Sequence, residues 1–178
     1  MAAFRQPRSG TLVELVRQIL VAFTMAIASA ISAAPYDGDA VAWATATSTH
    51  ATNGRVIIFR FAKDFRPGFD KASLPDRVIL VWRYEADSGM PSIAEREAMD
   101  RLEDLLAPRI ERSGFAMLAL VSTGENLREW IYYAKSEVEF LQALNSALKE
   151  QARFPIEIHA APDPSWSTYE RFRKGVHE

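Results

Sequence analysis

The chain has 178 residues, a length that corresponds to one domain with or without an N-terminal extension. It has no cysteine and only three histidines, which excludes disulfides, thiolate nucleophiles and iron–sulfur clusters and argues against a histidine-rich metal centre. A net charge of −2 argues against electrostatic binding of nucleic acid, while 48% hydrophobic residues suffice for a packed core. We therefore expect a globular domain that needs no cofactor.

Residues 1–34 have the parts of a secretory signal peptide. Three arginines precede an apolar run over 19–28, and a small-residue cleavage site follows at Ala28-Ser29-Ala30. We predict that this segment is removed and that residues 35–178 form a single domain in the periplasm or outside the cell. Two alternatives stay open: an uncleaved anchor, although the apolar run is short for a membrane span, and a cytoplasmic protein with an extra N-terminal segment.

The first half of the domain alternates between apolar and polar residues with a period of two, which is typical of strands. Residues 40–49 give a weak strand signal, and Asn53-Gly54 predicts a hairpin turn before a strong strand over 55–61. A further strand is predicted over 77–84. It is apolar on both faces for four residues, so we expect it to be a central strand of a sheet.

The second half contains two helix-start signals of the capping-box type. Ser92 is followed three residues later by Glu95, and Ser136 by Glu139, and apolar residues at spacings of three and four follow each pair. The remaining segments read as three strands and a short terminal helix, over 115–122, 127–134, 155–159 and 166–173.

The predicted order is two strands, then β-α-β-β-α-β, then a short helix. The six-element part has the order of the split β-α-β, or ferredoxin-like, arrangement. The sequence therefore predicts an α+β fold, a two-layer sandwich in which two helices cover one face of an antiparallel sheet, with a preceding β-hairpin that extends the sheet.

The most distinctive segment is Arg128-Glu129-Trp130, on the strand over 127–134. In a functional interpretation, Arg128 and Glu129 hold a polar ligand beside the Trp130 ring. In a structural interpretation, which we favour, Arg128 pairs with a neighbouring element and Trp130 packs in the sheet.

A second distinctive segment is Asp163-Pro164-Ser165-Trp166, just before the terminal helix. Asp163 is a possible catalytic carboxylate, but an Asp at this place more often caps the helix. His159 has no partner at a metal-binding or catalytic spacing. Phosphate-loop, dinucleotide, nucleophile-elbow and zinc-protease motifs are absent from the sequence, so we assign no catalytic residue and no metal.

Several short motifs in chain order resemble the domain of unknown function family 695 (DUF695). They are Leu74-Pro75, Trp82-Arg83-Tyr84, Gly89-Met90-Pro91, Leu102-Glu103-Asp104, Arg128-Glu129-Trp130, Phe154-Pro155-Ile156 and Asp163-Pro164-Ser165-Trp166. The resemblance covers roughly residues 43–172 and implies a domain boundary but no reaction. It also implies a fold similar to that of the B-type regulators of ribonuclease E, which are ferredoxin-like proteins that inhibit by binding.

Two functions follow as hypotheses. The favoured one is a non-catalytic binding or regulatory module that presents a sheet face or edge to a protein partner, with no nucleic acid and, after signal removal, no membrane as a partner. Its candidate binding residues lie in the two distinctive segments, which we expect to be close in space: Arg128, Glu129, Trp130, Asp163 and Trp166. The alternative is a hydrolase-type enzyme in which Arg128, Glu129, Asp163 and His159 meet in one pocket.

Overall fold

An antiparallel sheet of six strands forms the centre of the computed structural model, which describes residues 40–50, 52–111 and 114–176. The predicted signal peptide, residues 1–34, lies outside these ranges. The strands are β1 (Ala40–Thr49), β2 (Val56–Phe65), β3 (Asp76–Arg83), β4 (Ala116–Gly124), β5 (Leu127–Ala134) and β6 (Ile156–Pro162). The helices are α1 (Ile93–Ile110), α2 (Glu137–Leu148) and α3 (Ser167–Gly175), and one turn of 3-10 helix spans Lys71–Ser73.

The strands lie in the order β1-β2-β4-β5-β3-β6, and each neighbouring pair is antiparallel. Strand β3 is paired on both sides, with β5 and with β6, as its continuous apolar run predicts. The α+β class and the extension of the sheet by the N-terminal hairpin are confirmed.

Helices α1 and α2 pack on one face of the sheet, which we call the α1/α2 face. Met99 and Leu102 of α1 and Phe140 of α2 are fully buried there against Leu80 of β3 and Tyr132 of β5. Both helices start where the capping signals predict. Ser92 accepts a hydrogen bond from the backbone N–H of Glu95, and the Glu95 carboxylate accepts one from the backbone N–H of Ser92.

Helix α3 packs on the opposite face, which we call the α3 face. Its Phe172 ring lies 5.0 Å from Phe59 and 5.2 Å from Phe61, and Tyr169 is also buried in this second core. The architecture therefore differs from the predicted two-layer sandwich, because a short third layer covers part of the second sheet face. The physical reason is that β3, β4 and β5 are apolar on both faces, so both faces must be removed from water.

Candidate functional site

Strand β5 directs Arg128 and Glu129 to opposite faces of the sheet. Trp130 and Tyr132 belong to the core under α1 and α2, whereas Ile131 and Tyr133 belong to the core under α3. Since side chains alternate along a strand, Arg128 shares the α1/α2 face with Trp130, and Glu129 lies on the α3 face. These two neighbours in sequence therefore do not line one common site.

Arg128 takes part in a charged cluster that joins β5 and β2 to helix α1. Its guanidinium lies 3.2 Å from Asp100 and 3.3 Å from Glu103, and it stacks on the Trp130 ring at 5.0 Å from the ring centroid. Glu103 also accepts a hydrogen bond from the Trp130 indole N–H at 2.9 Å and forms an ion pair with Arg60 of β2. We call these five residues the Glu103 cluster.

Glu103 remains ionised in this cluster. Burial, the largest influence, raises the pKa of its carboxyl, but the charges of Arg60 and Arg128 and the hydrogen bonds from Arg60 and Trp130 together lower it below its ordinary value. Glu111, at the end of α1, behaves in the opposite way. Burial and the nearby charge of Glu103 raise the pKa of Glu111 to about 7, and Arg60 offsets only part of this rise.

Glu129 is a buried carboxyl whose side chain contacts the hydroxyl of Ser122 on β4. The Ser122 hydroxyl lies 3.2 Å from the carboxyl, and Glu129 is only 2% exposed. Burial raises the pKa of Glu129 to about 7, and the Ser122 hydrogen bond and the charge of Arg83 reduce this rise. A carboxyl that titrates near neutral pH is a candidate for function, but Glu129 is shielded from solvent by the core around it.

Asp163 caps helix α3, which confirms the structural interpretation of its motif. Its carboxylate accepts hydrogen bonds from the backbone N–H groups of Ser167 and Thr168, at 2.7 and 3.1 Å, and from the Tyr133 hydroxyl at 2.9 Å. Burial, the largest influence, raises the pKa of Asp163, but these hydrogen bonds together lower it below its ordinary value. The carboxylate is therefore held as a structural anion.

Trp166 has a left-handed backbone conformation, with φ 53°, that is uncommon for a bulky residue. Its ring stacks on Tyr133, with ring centroids 3.9 Å apart and planes 8° from parallel. Its indole N–H donates to the backbone carbonyls of Lys71 and Leu74. These contacts hold the ring fully buried, so they stabilise the strained backbone at the start of α3.

The two distinctive segments do not form one site, so the expectation that they are neighbours is wrong. The turn containing Asp163 contacts Tyr133 on the α3 face, whereas Arg128 and Trp130 lie on the α1/α2 face. Glu129 is on the α3 face, but it is four residues from Tyr133, about 13 Å along an extended strand. The turn therefore contacts the strand that carries Arg128 and Trp130, but at its other end and on the opposite face.

The residues of the hydrolase hypothesis do not meet in one pocket. Arg128 pairs with acidic residues of α1, Glu129 contacts Ser122, and Asp163 caps α3. His159 of β6 lies 3.6 Å from the Glu157 carboxylate on the same strand. Of the five candidate binding residues, Glu129, Trp130, Asp163 and Trp166 are buried, and the Arg128 side chain is 12% exposed. Of these five residues, only Arg128 reaches a surface.

The structure reveals an exposed surface that sequence reasoning missed. Ala44 and Ala46 of β1 pack toward α3, so the alternate residues of β1 face the side of the sheet where α1 and α2 lie. Neither helix covers β1 and β2 there, and three large apolar side chains are 37–38% exposed. We call this surface the open sheet face; it consists of Trp43, Thr45, Thr47, Val56, Ile58, Arg60 and Thr123.

The open sheet face adjoins the Glu103 cluster. Arg60 belongs to both, since it pairs with Glu103 and also stacks on Trp43 at 5.1 Å from the ring centroid. Thr123 lies between Ile58 and Arg128 in the sheet register. The signal that could have revealed this surface is the alternation of large side chains at Trp43, Val56 and Ile58 with residues that face the core.

Within residues 40–50, 52–111 and 114–176, no group of three or more His, Asp or Glu side chains is arranged to hold a metal ion. None of the helices in that part of the chain is long and apolar enough to cross a membrane.

Comparison with known proteins identifies the domain but not an activity. A search of curated proteins gives no match to this chain. The model of a family of unknown function, DUF695, matches residues 42–172, which include β2 to β6, α1, α2 and most of β1 and α3. The motifs around Trp82, Trp130 and Asp163 fall within this match, so the resemblance noted in the sequence is confirmed: the chain belongs to the DUF695 family.

Proposed function

We propose that this domain is a non-catalytic binding module, and that its open sheet face contacts an apolar surface of a protein partner. The observation that carries the proposal is the exposure of Trp43, Val56 and Ile58 on one sheet face that the helices leave uncovered, with Val56 and Ile58 two residues apart on β2 and Trp43 farther along β1. Tryptophan is among the residues that contribute most to protein interfaces, and clustered exposed apolar side chains are typical of interaction sites.

The surroundings of Trp43 favour recognition by a rigid surface. The Arg60 guanidinium lies over its ring and is itself held by Glu103, so the aromatic side chain is supported before any partner arrives. A preorganised side chain loses little conformational entropy on binding, which favours affinity. Arg128 extends the surface with a partly accessible cation that a partner carboxylate can approach.

We also infer that β3-α1-β4-β5-α2-β6 is a ferredoxin-like unit. The spatial order β4-β5-β3-β6 with antiparallel neighbours supports this, as does the placement of α1 and α2 on one face. Similarity to the B-type regulators of ribonuclease E is at the level of the fold alone, so it supplies no partner.

The proposal is tested by photo-crosslinking of this protein to its partners in the cells that naturally produce it. A photoreactive phenylalanine analogue replaces Ile58, and crosslinked proteins are identified by mass spectrometry. The same analogue at Val138, which is 63% exposed at the start of α2, is the matched control. We expect one protein to be recovered through position 58 and not through position 138.

The affinity of the recovered partner is then measured with purified variants. Trp43→Ala is expected to weaken binding roughly thirtyfold, which corresponds to ~2 kcal/mol for an interface tryptophan, without a change in melting temperature larger than that of Val138→Ala. Equal crosslinking at both positions, or wild-type affinity of Trp43→Ala, would contradict the proposal.

A further inference from the structure

We propose that strand β1 pairs with β1 of a second copy of this chain, joining two sheets into one sheet of twelve strands. Strand β1 is an edge strand of the sheet, and among the described residues only β2 pairs with it. About half of its backbone N–H and C=O groups therefore point away from the sheet, as on any edge strand. An antiparallel second strand would satisfy these groups.

The two edges of the sheet differ in how they are protected. Strand β6, the other edge, carries Glu157, His159 and Pro162, and Glu157 is held there by Arg83. Charged residues and proline are the usual means by which edge strands avoid pairing. Strand β1 has the sequence AVAWATATST, without charge or proline over ten residues. Its irregular pairing is confined to its first residues, before Trp43.

The regular part of β1 is self-complementary, which favours a second copy over an unrelated strand. It spans residues 43–49, so a twofold axis at Ala46 pairs all seven residues with their equivalents. Thr45 then lies opposite Thr47 of the second copy, Ala44 opposite Ser48, and Trp43 opposite Thr49. Threonine pairs across antiparallel strands are favourable, and the Ala44, Ala46 and Ser48 side chains are small enough for close packing on the α3 face.

Charge also permits this pairing. A twofold axis brings residues near it close to their own equivalents, so a charge near Ala46 would face a like charge of the second copy. The absence of charged residues from β1 removes this repulsion. Pairing at this axis would also make the two open sheet faces continuous, because the odd-numbered residues of both β1 strands would share one face.

The first test is sedimentation velocity of the full chain. Wild type is expected to sediment as a dimer, and Thr45→Lys/Thr47→Lys as a monomer with an unchanged circular dichroism spectrum and melting temperature. Ile158→Lys, on the opposite edge strand, is the matched control and should remain dimeric. A monomeric wild type, or a dimeric double-lysine variant, would overturn the inference.

The second test determines the register. Because the chain has no cysteine, single-cysteine variants report only the engineered contact. An equimolar mixture of Thr45→Cys and Thr47→Cys is expected to form the mixed disulfide on oxidation several times faster than a mixture of Thr45→Cys and Thr49→Cys. In the proposed register the first pair is directly opposite, whereas the second is diagonal and about 7–8 Å apart. Equal rates would contradict the axis at Ala46.

This inference does not rest on the proposed function, because it concerns the backbone edge and not the apolar side chains of the open sheet face. A monomeric wild type that still binds its partner through Trp43 would overturn the dimer alone. A dimeric wild type without a crosslinked partner at position 58 would overturn the binding module alone.

Discussion

The indole N–H of Trp130 donates a hydrogen bond to the Glu103 carboxylate at 2.9 Å, and this contact joins strand β5 to helix α1. Trp130 is 1% exposed, so its N–H needs an acceptor inside the protein. Glu103, in turn, needs cations because its carboxylate is largely removed from water, and Arg60 and Arg128 provide them. The partners in this cluster are therefore interdependent.

Glu103→Ala is expected to lower the free energy of unfolding by about 3 kcal/mol, because it leaves Arg60, Arg128 and the Trp130 N–H without their common acceptor. Urea unfolding monitored by tryptophan fluorescence measures the change. Asp100→Ala is the control. Its side chain is 65% exposed, and its ion pair with Arg128 should contribute less than about 1 kcal/mol. Similar losses for both variants would show that Glu103 is not the centre of the cluster.

Local structure could be predicted from the sequence because its signals are local. The capping box at Ser92 and the alternation over residues 127–134 each depend on a few consecutive residues, and the helix and the strand are found there. The hairpin before β5 is also local, although its turn uses Glu125 and Asn126 with positive φ instead of the usual glycine. A glycine stands just before them, because a Cβ on Gly124 would lie 2.5 Å from the Val56 carbonyl oxygen.

The candidate site could not be predicted in the same way, since it depends on which face each residue occupies and on what covers that face. The period of two places Arg128 and Glu129 on opposite sides, yet it does not tell which side receives α1. The position of α3 is decided by the contacts of Trp166 with Tyr133 and with the carbonyl of Leu74, which are 33 and 92 residues away in sequence. The open sheet face exists because α1 and α2 cover β3 to β5 and leave this face of the β1–β2 hairpin exposed.

Asp163→Ala is expected to lower the free energy of unfolding by about 2 kcal/mol, because the first turn of α3 loses its cap and the Tyr133 hydroxyl loses its acceptor. The effect should depend on pH. The pKa of Asp163 is lower in the folded protein than in the unfolded chain, so its contribution is present above the unfolded pKa and is lost as the pH falls through the folded pKa.

Asp163→Asn is the matched variant for this dependence. It retains an acceptor for the cap but does not titrate, so the stability difference from wild type should decrease below about pH 4. Unfolding by urea at several pH values measures it. A difference between Asp163→Asn and wild type that stays constant from pH 7 to pH 3 would contradict the assignment of Asp163 as a buried structural anion.

Trp43 is expected to be the only tryptophan that aqueous iodide quenches efficiently in the folded protein. The chain has four tryptophans; Trp43 is 37% exposed, whereas Trp82, Trp130 and Trp166 are at most 6% exposed. Trp43→Phe should therefore remove most of the quenching that the folded wild type shows, and Trp82→Phe should not. Strong residual quenching in Trp43→Phe would mean that another indole is accessible and that the open sheet face is not centred on Trp43.

Glu129→Gln is expected to stabilise the protein above neutral pH. The pKa of Glu129 is about 7 when folded, above the ordinary carboxyl value of 4.5, so the folded state binds the proton more tightly than the unfolded chain. Stability from this group is therefore fully present below the unfolded pKa and is lost as the pH rises through about 7, by roughly 3 kcal/mol in total.

Glutamine at position 129 retains a hydrogen-bonding partner for Ser122 but cannot ionise. The variant should thus gain stability relative to wild type between pH 4.5 and pH 8, as measured by urea unfolding. Glu157→Gln, on the same face with a side chain 47% exposed, is the control; because its ion pair with Arg83 is at the surface, it should show no comparable gain in stability. Parallel profiles for Glu129→Gln and wild type would show that Glu129 ionises at its ordinary pKa and that the protein accommodates its charge without cost.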